Sequence, residues 1–332
     1  MIDFNLLAQV VRLNNSFLLS THVNPDADAI GSEVAFYLIL KKLGKEVYII
    51  NHSSTPYFLK FLDTENVIEK FNEEKHSKLF KQVDVLVVID LNYANRLVKE
   101  EKYFRESSRL KICLDHHQSP EKFVDHCFND ASYAATAHII FDFIKQTDIV
   151  KLTKEIAIPI YAGIMTDLGS FRFERTTPEI HRITAELLEA GVNPVEVYDN
   201  IYDQSNFSKI KLLGESLSSI QLNSAKEIAY MVVTRDAINR TQADEAEVDG
   251  FVNYCLSIKG VKLALLFYEL KDGIKISFRS KGEIPVHKLA QKFGGGGHIN
   301  ASGTRLFNVD LDETISNVIK AAEDFLQQEG QN

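Results

Sequence analysis

Cysteine is scarce in this chain. Cys113, Cys127 and Cys255 are the only three, and no CxxC pair occurs. That excludes a disulfide framework and points to a reducing compartment. No apolar run approaches the roughly 20 residues that a bilayer span needs, and the opening MIDFNLLAQVVRLNN has neither a basic segment nor a cleavable apolar one. The expectation is a soluble, cytoplasmic protein with no membrane contact. Positive charge is also short. The 37 Lys and Arg against 46 Asp and Glu leave a formal net charge of −9, the wrong sign for a surface that displaces counterions along duplex nucleic acid. A short phosphorylated substrate is still compatible, because bound metal ions supply positive charge locally. Internal repeats and low-complexity tracts are absent too.

What is present suits two ordinary domains: 332 residues, 45% of them hydrophobic. The first half alternates strand-like and helix-like segments. SFLLST (16–21), KEVYII (45–50), VDVLVVID (83–90) and LKICLD (110–115) read as strands, the third a continuous Val-rich run of the kind buried on both faces of a parallel sheet. Amphipathic stretches at 29–43, 73–81, 134–146 and 179–190, and an apolar helix over 156–167 with Pro159 near its start, complete a βαβ rhythm. The fold class expected is α/β: a parallel-sheet catalytic domain over 1–190, a helical linker over 191–222, and a smaller α/β domain over 223–332. IAYMVVT, VKLALLFYEL and IKISFRS are the strand candidates of that second domain, with helices at 285–293 and 312–328.

Four acid-and-histidine clusters stand out on this frame: His22-x3-Asp26-x-Asp28, then Asp90, then Asp115-His116-His117, then Asp167. Three of them follow strands, and in open α/β sheets ligands bind outside the carboxyl ends of strands. His22, Asp26, Asp28, Asp90, His116 and Asp167 are six hard or borderline ligands. Two divalent ions sharing one carboxylate need about that many, with positions left for water and substrate. Oxygen and imidazole donors without Cys suit Mn2+ or a similar ion better than a structural zinc. Each cluster also has a duller reading. Asp28 stands where a cap for the 29–43 helix would, and Asp90 alone could be a strand-end carboxylate. Asp115-His116-His117 is harder to dismiss, since such a group is costly to bury unless paired or metallated.

Gly294, Gly295, Gly296 and Gly297, followed by His298, form a second signal. Four glycines after a helix let backbone N–H groups turn inward around a phosphate or carboxylate, and His298 can donate to the same anion. Arg279 and Ser280 in SFRSKG are candidates for a further substrate contact, since Arg recognises phosphate and stacks on bases. Arg172, five residues after Asp167, is a candidate for phosphate contact. His138, within AATAHII, is assigned to packing or the surface.

These segments together resemble the DHH phosphoesterase family. PDADAIGS (25–32), VVIDLN (87–92), LDHHQ (114–118) and GIMTDLGSF (163–171) look like its four motifs, and FGGGGHINASG (293–303) looks like the glycine-rich signature of the DHH-associated C-terminal domain. The resemblance implies two divalent ions of the Mn2+ type, with Co2+ and Mg2+ as alternatives. It implies His22 and Asp26 on one ion, Asp28, His116 and Asp167 on the other, and Asp90 bridging. His117 would face the substrate phosphate and Asp115 would orient the histidines. Within the family, a stand-alone two-domain chain resembles the bifunctional enzymes that hydrolyse very short single-stranded RNA oligonucleotides to mononucleotides and remove the 3′-phosphate of 3′-phosphoadenosine 5′-phosphate. RecJ-type exonucleases are longer, membrane-bound cyclic-di-AMP phosphodiesterases carry membrane spans, and family II pyrophosphatases lack the GGGGH loop. Hydrolysis of cyclic or linear di-AMP or di-GMP is the alternative activity, and a non-nucleotide phosphoester the alternative substrate. A catalytically silent nucleotide-sensing module is the alternative of another class, though its expected mark is a missing ligand. The resemblance also implies a homodimer. One departure from the family pattern is His138, where a carboxylate is expected.

Overall fold

The computed structural model of the protein describes residues 2–329 apart from Asp249 and His298. The chain divides into two compact units, Met1–Gln204 and Ser205–Asn332. The segment expected as a linker is two separate helices, Pro194–Tyr202 in the first unit and Phe207–Ser218 in the second. Asn193 starts the former by accepting from the Val195 amide, with Pro194 in the first turn where its missing N–H is not needed.

The first unit is built on six parallel strands, β1 (Ser16–Thr21), β2 (Glu46–Asn51), β3 (Ile68–Lys70), β4 (Val85–Ile89), β5 (Leu110–Asp115) and β6 (His126–Asn129), in the order β3-β2-β1-β4-β5-β6. The chain works outward from β1 in one direction, then returns to place β4 on its other side. The junction between β1 and β4 is therefore the topological switch point, where the ends of neighbouring strands splay and leave a crevice. Alternate residues of the central strands feed two cores. Phe17, Leu19, Val85, Val87, Ile89, Ile112 and Leu114 pack under the helices Phe4–Leu13, Ala27–Lys42, Thr136–Thr147 and Lys154–Asp167. Leu18, Ile50, Leu86, Val88 and Cys113 face Phe80, Leu97 and Phe104 on the opposite side. Sequence reading missed the helix Phe4–Leu13, although Phe4, Leu7, Ala8, Val10 and Val11 give it a clear apolar face, while the edge strands β3 and β6 are too short to stand out.

Two glycines let the helices carrying candidate ligands approach closely. A Cβ on Gly31 would meet the Pro159 carbonyl oxygen at 2.4 Å, and one on Gly163 would meet Asp28 Oδ1 at 2.6 Å. Bare backbone at these points brings Ala27–Lys42 and Lys154–Asp167 together and sets Asp167 close to the start of the former.

The second unit holds a six-stranded mixed sheet of β7 (Gln221–Leu222), β8 (Ile228–Val233), β9 (Leu263–Glu269), β10 (Gly273–Ser280), β11 (Gly296–Gly297) and β12 (Ala301–Phe307), ordered β11-β12-β10-β9-β8-β7. Only β8 and β9 run parallel. Helices Val286–Gln291 and Leu311–Glu329 cover one face, and Phe207–Ser218 with Val252–Leu256 the other. Among the described residues, no helix is long and apolar enough to cross a membrane.

Candidate metal centre

The switch point gathers the acid-and-histidine clusters. His22 directly follows β1 and Asp90 directly follows β4, so they face each other across the crevice. The helix Ala27–Lys42 starts there, bringing Asp26 and Asp28. β5 ends in Asp115, just before His116 and His117, and Asp167 closes its own helix. Two triads result whose ligand atoms lie within 4.8 Å of one another, His22–Asp26–Asp90 and Asp28–His116–Asp167, together with a third grouping of Asp90, His116 and His117.

The distances show how the triads join. His22 Nε2 lies 3.5 Å from Asp90 Oδ2 and 4.0 Å from Asp26 Oδ2. His116 Nε2 lies 3.1 Å from Asp167 Oδ2, 3.8 Å from Asp28 Oδ2 and 3.6 Å from Asp90 Oδ1. Asp90 thus turns one oxygen toward each triad. Its backbone sits at φ 58°, a left-handed conformation that Asp tolerates better than most residues, while its N–H still donates to Leu114 O at 2.9 Å.

Each histidine is oriented from behind. Nδ1 of His22 lies 2.9 Å from Val23 O, and Nδ1 of His116 lies 3.3 Å from Tyr133 O. A carbonyl can only accept, so Nδ1 carries the proton and Nε2 is the nitrogen offered to the cluster. His117 is held through the same nitrogen, but by a carboxylate, with Nδ1 2.7 Å from Asp115 Oδ1. Fully buried Asp115 in turn accepts from Asn129 Nδ2 at 2.8 Å, and the same amide reaches His117 O at 2.9 Å.

The carboxylates are held by helix starts. Asp26 caps its own helix, Oδ1 accepting from the amides of Asp28 and Ala29 at 3.0 Å each, so the helix begins two residues earlier than its pattern suggested and Asp28 is not its cap. Asp28 does the capping work for another helix. It accepts from the Thr136 and Ala137 amides at 2.7 and 2.9 Å, at the start of Thr136–Thr147, whose own N-cap residue is Ala135. Thr136 Oγ1 also donates to Asp90 Oδ1 at 2.9 Å.

Burial and crowded negative charge together set the electrostatics. Burial, then the charges of Asp90 and Asp167, drive the Asp28 carboxyl well above the ordinary range. Burial pulls the His116 pKa down, but the Asp167 hydrogen bond and the charges of Asp28, Asp90 and Asp167 outweigh it and leave it at about 10. Burial also works against ionised Asp90, yet its hydrogen bond with His22 and the nearby histidines hold its pKa below the usual carboxylate value. Four carboxylates and two inward-facing imidazoles, in two triads, fit a pair of hard or borderline divalent cations.

Comparison with known proteins places this arrangement in a family. The model of the DHH family, N-terminal domain, matches residues 16–164, and that of the DHHA1 domain matches residues 226–328. The bifunctional oligoribonuclease and PAP phosphatase NrnA of Thermus thermophilus is 33% identical over 98% of this chain and 95% of its own length. The chain belongs to the DHH family. It is accordingly a metal-dependent hydrolase acting on phosphoester bonds. The protein of the same description from Bacillus subtilis is 27% identical over 93% of this chain and 95% of its own. A solved exopolyphosphatase-related protein from Bacteroides fragilis superposes with a TM-score of 0.90 at 31% identity, covering 98% of this DHH chain and 95% of that one.

The remaining sequence candidates are more scattered. Gly294 lies in a turn at φ 70°, and Gly296–Gly297 form the short strand β11 paired with Gly303 and Ser302. A Cβ on Gly295 would meet Gly303 O at 2.3 Å, so packing against β12 already requires glycine there. His298 lies outside the described residues. Arg279 sits on β10 with Nη1 donating to Phe278 O at 3.0 Å. The Ser280 hydroxyl, expected as a substrate contact, is buried, donating to Ile284 O at 2.6 Å and accepting from Asn300 Nδ2 at 2.9 Å. Arg172 is exposed, with Nε donating to Gly169 O at 3.0 Å and its guanidinium 5.8 Å from the Phe173 ring centre. His138 is buried, its Nε2 4.0 Å from Asp142 Oδ1 without a hydrogen bond among the described residues, and burial lowers its pKa to about 4, so it is a neutral packing residue. Sequence reading missed Thr136 and Asn129. Neither type is unusual at a helix start or strand end, and only the assembled fold shows which carboxylates they hold.

Proposed function

We propose that this protein hydrolyses short single-stranded RNA oligonucleotides to mononucleotides and removes the 3′-phosphate of 3′-phosphoadenosine 5′-phosphate, using two divalent ions, Mn2+ ahead of Co2+ or Mg2+. The observation that carries this reading is the pair of triads with Asp90 turned toward both. The near-full-length likeness to a bifunctional oligoribonuclease and PAP phosphatase supports the substrate class. A cytoplasmic setting, a homodimer and the exclusion of duplex substrates belong to the same reading.

His22, Asp26 and Asp90 would hold one ion, and Asp28, His116 and Asp167 the other, with Asp90 shared. Bound there, the ions supply Lewis acidity toward a phosphoryl group and make water acidic enough to ionise near neutral pH. The chain's own residues do the rest. Asp115 accepts the Nδ1 proton of His117 and orients the ring, leaving Nε2 of this half-buried side chain facing the substrate, an acceptor in the neutral ring and a donor to a phosphoryl oxygen once the ring is protonated. Asn129 holds Asp115 in place. Thr136 and the first amides of its helix hold Asp90 and Asp28 still, so the ligands need not reorganise during turnover. Arg172, Gly294–Gly297, His298 and Arg279 are proposed as contacts to the remainder of the substrate.

The test is Mn2+-dependent release of mononucleotide from a 5′-phosphorylated RNA dinucleotide, with 3′-phosphoadenosine 5′-phosphate and linear and cyclic di-AMP run alongside. Fast cleavage of the RNA dinucleotide and release of phosphate from the mononucleotide, with slow turnover of cyclic di-AMP, is the expected result. Preference for cyclic di-AMP would overturn the substrate assignment, and no turnover in protein holding two metals would favour a non-nucleotide substrate or a sensing role.

A further inference from the structure

Beneath the centre runs a buried hydrogen-bond relay that no ligand role accounts for. β1 and β2 pair as far as Leu19 opposite Ile49. Two residues further along both strands, the Asn51 side chain takes over from the backbone ladder. The Thr21 amide donates to Asn51 Oδ1 at 3.0 Å, and Asn51 Nδ2 donates to Glu33 Oε2 at 2.7 Å. On its other side, Thr21 Oγ1 donates to Ile89 O at 2.7 Å. Thr21 and Glu33 are 0% exposed and Asn51 is 1% exposed. The next residue after Thr21 is His22, and the next after Ile89 is Asp90. The relay therefore clamps the last residue of each strand that leads into a candidate ligand, and ties both to the helix that Asp26 caps.

Burying these polar groups is costly, and apolar residues would pack the same space with less penalty. Glu33 is the extreme case. Its Oε1 has no hydrogen-bond partner among the described residues, and burial, opposed by the Asn51 hydrogen bond but reinforced by the charges of Glu100 and Asp63, pushes the carboxyl well above the ordinary range. A relay retained at that penalty makes sense if it fixes geometry. Ligands of one ion must stay within a few tenths of an ångström of their places, and groups that orient ligands typically contribute about 10- to 100-fold to metal affinity.

We propose that Asn51 is a positioning residue for the metal centre, the Glu33–Asn51–Thr21 relay setting the spacing between His22 and Asp90. The inference rests on the two-ion reading above and adds a set of residues that never touch the ions. Full-length protein is titrated with Mn2+, free ion being read from its electron paramagnetic resonance signal, well below the melting temperature of each metal-free variant. Asn51→Ala should weaken Mn2+ binding at least about tenfold, while kcat on the RNA dinucleotide recovers close to the wild-type value at saturating Mn2+. Glu33→Gln, which keeps an acceptor for Asn51 Nδ2 and carries no charge, should bind Mn2+ like the wild type. Should Asn51→Ala fail to fold, Thr21→Val, which loses only the link to Ile89, carries the same expectation of weakened binding. Wild-type affinity in these two variants, or a loss in Glu33→Gln as large as in Asn51→Ala, would overturn the positioning role alone. A wild-type protein that binds no Mn2+ would overturn the two-ion reading and this inference with it.

Discussion

Metal binding should expel protons from this protein. In the metal-free chain His116 Nε2 is surrounded by Asp167, Asp90 and Asp28 at 3.1, 3.6 and 3.8 Å. Burial alone would lower its pKa, but those partners leave it at about 10, so at pH 7.5 the ring is an imidazolium. An ion that takes Nε2 as ligand must displace that proton. One proton lost per binding event makes affinity rise about tenfold per pH unit, or about 1.4 kcal/mol, as long as the pH stays below the metal-free pKa. Calorimetric titration with Mn2+ at pH 7.5, in two buffers of different ionisation enthalpy, counts the protons directly, and a repeat at pH 8.5 measures the affinity change. Zero proton release with equal affinity at the two pH values would refute the argument. The same shifts set the stability of the metal-free protein. His116 has a folded pKa raised above its unfolded value of 6.5, so its contribution is whole below that value and is lost as pH rises through about 10. Asp28, raised above 3.8, likewise favours the fold only while protonated. The metal-free melting temperature should therefore fall between pH 6.5 and 10, while the increment given by a fixed excess of Mn2+ grows over that range.

Three substitutions probe the centre from different sides. Asp90→Ala removes the carboxylate shared by both triads and should abolish measurable turnover; wild-type kcat in Mn2+ would sink the two-ion reading. Asn129→Ala strips buried Asp115 Oδ2 of its 2.8 Å donor and should lower stability by about 1–3 kcal/mol, with kcat falling further than KM changes; melting curves and steady-state kinetics would show it. Gly163→Ala drives a Cβ to within 2.6 Å of Asp28 Oδ1 and 2.7 Å of Ala137 Cβ, so thermal melts should show a loss of about 1–3 kcal/mol and Mn2+ titration a weaker site.

The sequence announces the frame of this protein well because the frame depends on local and periodic features. The Val-rich run at 85–89, the apolar helix around Pro159 and the acids placed just after strands all lie close together in the chain, and β1, β4 and β5 fall where the pattern puts them. Strand order does not follow from pattern. It takes the crossing from β3 back to β4 to set His22 beside Asp90, and the paired strands that do so are separated by more than 60 residues. The support around the ligands was least legible. Thr136, Asn129 and Asn51 are ordinary polar residues until their partners at 28, 90, 115 and 33 are brought alongside. Ser280, whose neighbourhood suggests substrate contact, has its hydroxyl bonded to Ile284 O and Asn300 Nδ2, partners that no spacing in the sequence announces.

Asp28 shows how choosing between a structural and a chemical role can mislead. Its place before an apolar helix suggests a cap, and its place in a cluster suggests a metal ligand. The structure has it accept the first two amides of Thr136–Thr147, a helix more than 100 residues away, while Oδ2 also turns toward His116. Asp26 divides its carboxylate similarly, Oδ1 on its own helix start and Oδ2 toward His22. Helix N-termini carry partial positive charge and unsatisfied N–H groups, so they favour a carboxylate in its ionised form and fix its direction. The helix start does not offset the burial of Asp28 and, after it, the charges of Asp90 and Asp167, and its carboxyl remains raised despite two backbone donors. Capping thus aims the carboxylates, and the charge left over is what a pair of divalent cations would neutralise. A site built this way binds its ions with ligands already in place and releases protons, not backbone strain, as it loads.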